Sequence, residues 1–192
     1  ILNCTISENS QTGISCVDGA EPIIRNCNIS GNLGEGGNGA GGICCFDGSN
    51  PIIMDCIISE NQSTGIYSRR SSPEINGCTI IRNEFSGINC LYEPSPIIFN
   101  CNIIENSVHD NATGLHISGS NLIIENCVIS GHTYDNDFGG GIKCIESIVI
   151  LRRCSIVDNN AEKGGAIACW GGTELTMENC TISRNNSESG GA

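Results

Sequence analysis

Four residues of this 192-residue chain, Tyr67, Asn89, His116 and Lys143, occupy the same place in successive copies of a short stretch that reads G-[IL]-x-C in its fullest form. A ring, an amide, an imidazole and an amine in one line suit stacking on a sugar and hydrogen bonding to its hydroxyls. His116 or Lys143 also has the chemistry of a general base. The paired carboxylates that glycoside hydrolysis ordinarily uses are missing from this line, so passive contact with a polysaccharide is the milder expectation. Two segments between copies carry further polar groups. SVHDNATG (107–114) holds His109 and Asp110, and GHTYDNDFGGG (131–141) holds His132, Tyr134, Asp135 and Asp137. Asp135 and Asp137 offer the start of a calcium site, but no full calcium-loop pattern follows and solvated loop acids are the plainer reading. No other cofactor is expected.

These residues depend on a repeat for their alignment. PIIRNCNISGN (22–32) recurs as PIIMDCIISEN (51–61), PEINGCTIIRN (73–83) and PIIFNCNIIEN (96–106), and more loosely around Cys127, Cys154 and Cys180. Two places after each register cysteine stands Ile6, Ile29, Ile58, Ile80, Ile103, Ile129, Ile156 or Ile182, and three places before it a large apolar residue. Five places after it comes asparagine, replaced once by His132, in a column suited to stacked amide hydrogen bonds. Immediately before the cysteine come Asn, Asp or Gly, which tolerate a left-handed bend, with Arg153 as the exception. Repeats of 22–29 residues indicate a solenoid. Each repeat reads as three short strands, G-I-x-C, P-x-I and C-x-I, separated by turn residues. The expected fold is all-β: a parallel β-helix of seven to eight coils forming one domain over residues 1–192.

Thirteen of the 14 cysteines fall in two columns expected to face inward as small buried hydrophobes, and Cys44 is off-register and expected to point outward. No CxxC pair suggests zinc or an iron–sulfur cluster. The combination of GGI or GGAI, then SSP, INC and ISxN resembles the right-handed parallel β-helix proteins of the pectin-lyase-like superfamily. It is closest in style to non-enzymatic bacterial surface proteins such as the polymorphic outer-membrane protein type. The resemblance implies a right-handed coil, in keeping with the chirality of parallel crossovers. It also implies that any substrate would lie along the outer face of the G-I-x-C strands, although the hydrolase motifs and calcium-binding acid clusters of the family's enzymes are not matched.

A net charge of −12 argues against nucleic acid, and no apolar run is long enough to span a bilayer. Four places before the register cysteines, Ile23, Ile52, Ile97, Ile123 and Ile150 form an outward apolar strip expected to meet a second copy or a flanking β-helix segment. The chain begins in mid-coil and stops at SGGA, which reads as a slice of a longer or end-to-end stacking solenoid. The expected function is a non-catalytic extracellular or cell-surface stalk, adhesin or filament element. A polysaccharide lyase or glycoside hydrolase is the alternative.

Overall fold

A computed structural model describes residues 1–34, 39–92, 95–106, 113–133 and 138–190. The chain winds through three parallel sheets in which each strand pairs with its counterpart one coil away. The C-x-I sheet has eight strands, from Thr5–Ser7 to Thr181–Ser183; the G-I-x-C and P-x-I sheets have seven each. Helix is absent among the described residues. Strands of three to seven residues suit a coil whose corners come this often.

Stacking in register dictates the core. Ile24, Ile53, Ile75 and Ile98 lie in one column and Ile29, Ile58, Ile80 and Ile103 in another, all fully buried. β-Branched side chains fill such columns because each packs on an identical neighbour across a pleated surface. The corners are sharper than the asparagines alone suggested. The residue before the register cysteine is left-handed in every copy, including Arg153 at φ 51°, so the expected exception is not one. Two further left-handed columns close each coil, one containing Glu60, Arg82, Glu105 and Asp158, the other Asp47, Arg70, Tyr92 and Glu146. Non-glycine residues pay about 1–2 kcal/mol for that conformation, so stacking must hold these corners in place.

The first residue of G-I-x-C is glycine for a different reason. A Cβ on Gly87 would lie 2.7 Å from the Ile103 side chain and 2.8 Å from the Gly114 carbonyl oxygen. At Gly87 the coils approach too closely for a side chain, although the last copy carries Ala166 at this place.

The asparagine column is a continuous buried ladder. The Nδ2 of Asn32 donates to Asn61 Oδ1 (2.9 Å), Asn61 to Asn83 (2.8 Å) and Asn83 to Asn106 (2.9 Å). Each amide also donates to an isoleucine carbonyl of the preceding coil, as Asn83 does to Ile58 O at 3.0 Å. His132 continues the ladder in place of asparagine. Its Nδ1 accepts from the Asn106 backbone N–H (3.1 Å), and Nε2 lies 3.0 Å from Ile103 O. Nδ1 also lies 2.9 Å from Asn106 O, and the tautomer protonated on Nε2 is the one that accepts from the backbone N–H and donates to Ile103 O as the amide does. Burial holds the His132 pKa below its ordinary value, although the two carbonyls and Glu105 oppose the shift.

Two predictions follow from these columns. Gly87→Ala should lower stability by about 1–3 kcal/mol through overpacking, read as a lower thermal midpoint; an unchanged midpoint would contradict the close approach. For His132, the unfolded chain takes up a proton near its ordinary pKa while the folded chain resists. Stability is therefore full above about pH 6.5 and falls as pH drops below it. His132→Asn should remove that part of the slope in denaturation measured across pH 4–7, and identical slopes for both proteins would refute the assignment.

Candidate functional site

Tyr67, Asn89, His116 and Lys143 are brought together on four consecutive strands, Thr64–Arg69, Ile88–Leu91, Leu115–Ser118 and Ile142–Ile145, in direct register. They point away from the coil interior, because the core residues of these strands alternate with them. The row is nevertheless not an open face. Tyr67 and Lys143 are each only 6% exposed, and Asn89 and His116 are half-buried. The Oδ1 of Asn89 is buried without a hydrogen-bond partner among the described residues.

A second apolar layer covers the row. Strand Ala40–Phe46 starts earlier than its counterparts, and its pairing with Thr64–Arg69 shifts register between Ala40 and Ile43. Ala40, Cys44 and Tyr67 form a buried cluster against which Phe46 and Leu91 pack, with the Phe46 and Tyr67 rings 5.6 Å apart. Thr12 Oγ1 donates to the Ala40 carbonyl at 2.7 Å, tying the layer to the preceding coil. Cys44 does point away from the coil interior, yet it is 3% exposed because this layer covers it. Burial also raises the Tyr67 pKa, with Arg69 opposing.

Farther along the sheet the cover is aromatic. Strands Asn160–Lys163 and Asn186–Ser189 pair as a small fourth sheet, to which Thr133 and Phe138 add single bridges. Phe138 packs on Trp170 with ring centroids 5.1 Å apart, and the Lys143 ammonium sits 5.5 Å from the Trp170 ring centroid. The sequence reading missed Phe138 and Trp170. Trp170 stands two places beyond the outward column, on the same face, so counting one more step of the strand period would have found it.

This arrangement supplies little for catalysis. Neither outward column of the G-I-x-C strands, Ser15 to Ala168 or Val17 to Trp170, contains a carboxylate. No cluster of three or more metal-ligating side chains occurs among the described residues. Asp135 and Asp137, with His109, Asp110 and Tyr134, lie outside the described residues. His132 is committed to the ladder.

The isoleucine strip lies on the P-x-I sheet. Ile23, Ile97 and Ile123 are exposed (52%, 46% and 36%), while Ile52 and Ile150 are half-buried. Glu74 separates Ile52 from Ile97, so the strip is two patches. The longer patch, with Pro96, Leu122 and the exposed Ile148, lines an open groove of about 310 Å³. Ile148 was missed because it begins its strand two places ahead of the repeat's outward column.

The profile of the right-handed β-helix region family matches residues 1–112 and 97–190. The chain belongs to the right-handed β-helix family. No curated protein and no solved structure matches it. Family membership accounts for the three sheets and the coil's hand, and it assigns no activity. No described helix is long and apolar enough to cross a membrane.

If Tyr67 is a core residue of the outer layer, Tyr67→Ala should destabilise the chain by about 3 kcal/mol, as large buried side chains do. Chemical denaturation checks this; a loss within about 0.5 kcal/mol, typical of a surface site, would mean the row is open.

Proposed function

We propose that this chain is a non-catalytic, structural segment of an extracellular or cell-surface β-helix protein that associates laterally with a second copy of itself. The observation that carries the reading is the groove on the P-x-I sheet, where Pro96, Ile97, Ile123, Ile148 and Ile150 present apolar surface on neighbouring coils. A ridge of aliphatic side chains on a flat sheet face suits the same ridge on another copy. The burial of Tyr67 and Lys143 supports the non-catalytic side of the reading, since a polymer laid along the sheet would meet the covering layer first. Extracellular placement rests on the resemblance of the GGAI repeats to surface proteins.

Net charge opposes self-association, so screening should favour it. Mass photometry across protein concentration should show a dimer or larger species growing with concentration and with salt. Ile97→Lys with Ile123→Lys should leave the chain folded and monomeric throughout. A wild-type chain that stays monomeric at high concentration and high salt would contradict lateral association.

A further inference from the structure

The C-x-I sheet presents a face that neither the candidate site nor the proposed interface uses. Its eight strands pair from coil to coil with no shift of register. In each strand the middle isoleucine turns toward the core and the two residues flanking it turn outward. The outward residues therefore form two straight rows, spaced about 4.8 Å from strand to strand and about 6.6 Å along each strand.

The sixteen residues of these rows are nine serines and threonines, two asparagines and five isoleucines and valines. None of them is charged, in a chain whose net charge is −12. β-Propensity accounts for threonine, valine and isoleucine on a strand, but not for serine and not for the absence of charge. The outward positions of the P-x-I sheet, by comparison, carry Arg25, Glu74, Glu125, Arg152 and Glu178. Beside the C-x-I rows the charges stand at the corner that follows them, as Glu60, Arg82 and Glu105 do.

Few partners suit such a lining. Protein interfaces draw on aromatic residues, Met and Arg and are poor in Ser, and the rows contain none of the first three. A sugar chain wants an aromatic ring to stack on, and the rows offer none. What they do offer is a regular grid of hydroxyls that bond water, set among methyl groups whose first-shell water is restricted in orientation. Charges, which would draw water into shells of their own, are kept off the grid. Its two spacings lie near two of the lattice repeats of ordinary ice. We propose that the outer face of the C-x-I sheet binds ice, holding a layer of ordered water that merges with the crystal surface and stops growth there.

The test measures thermal hysteresis of the purified chain by nanolitre osmometry, together with its partition into slowly growing ice. Expected are a freezing-point gap above that of serum albumin, rising with protein concentration, and enrichment of the chain in the ice. Ile57→Lys with Asn102→Lys places charges at two exposed positions of the grid and should abolish both effects while the thermal midpoint changes little. Ile97→Lys with Ile123→Lys, on the P-x-I sheet, should keep both, which separates ice binding from lateral association. Wild-type hysteresis no greater than albumin's, or equal activity in the wild type and the Ile57–Asn102 variant, would overturn the proposal. So would self-association that is lost with Ile57→Lys and Asn102→Lys but kept with the P-x-I pair, because this face would then be a protein interface. If the double variant does not fold, Asn28→Lys alone, at another exposed position of the grid, must weaken the hysteresis, and full activity in it would overturn the proposal as well.

Discussion

Translation by one coil is the constraint on which the rest of this structure depends. Each residue meets its own counterpart about 4.8 Å away, so a side chain is acceptable only if it packs on, or bonds to, something like itself. Isoleucine, asparagine and a thiol satisfy that condition; a charge does not. Several charged positions accordingly meet the opposite charge one coil away, as in the pairs Arg82–Glu105, Arg152–Glu178 and Arg184–Asp158. These pairs are largely exposed and add little stability individually, but they avoid the like-charge contacts that stacking would otherwise impose.

The same constraint separates the interior from the surface. Inside, the columns are long and uniform, and the histidine in the asparagine ladder is accepted because imidazole offers an acceptor and a donor in nearly the amide's places. Outside, uniformity fails where turns lengthen. There Ala40 and Phe138, next to lengthened turns, pack on the outward side chains Tyr67 and Trp170 of the G-I-x-C sheet. The P-x-I sheet, by contrast, leaves Ile23, Ile97 and Ile123 exposed.

Much of this was legible in the sequence, for a physical reason: in a translational stack, contact order in space is column order in the alignment. The cysteine, isoleucine and asparagine columns, the three strands per coil and the register of Tyr67 with Asn89, His116 and Lys143 could all be read that way. Burial of that row could not. It depends on where residues such as Ala40 and Phe138 travel from turns whose lengths differ, and periodicity carries no information about them. Two of the three left-handed corners also escaped notice, because Glu60, Arg82 and Tyr92 are not residues that favour this conformation. Stacking imposes it on them.

The central claim is that the side chains of the asparagine column hydrogen-bond from coil to coil, and hydrogen exchange tests it most directly. The side-chain Nδ2 protons of Asn32, Asn61 and Asn83, followed by NMR after transfer to heavy water, should exchange as slowly as the backbone amides of the neighbouring strands. Exchange at the rate of a free asparagine amide would contradict the ladder, and with it the in-register stacking from which the rest is argued.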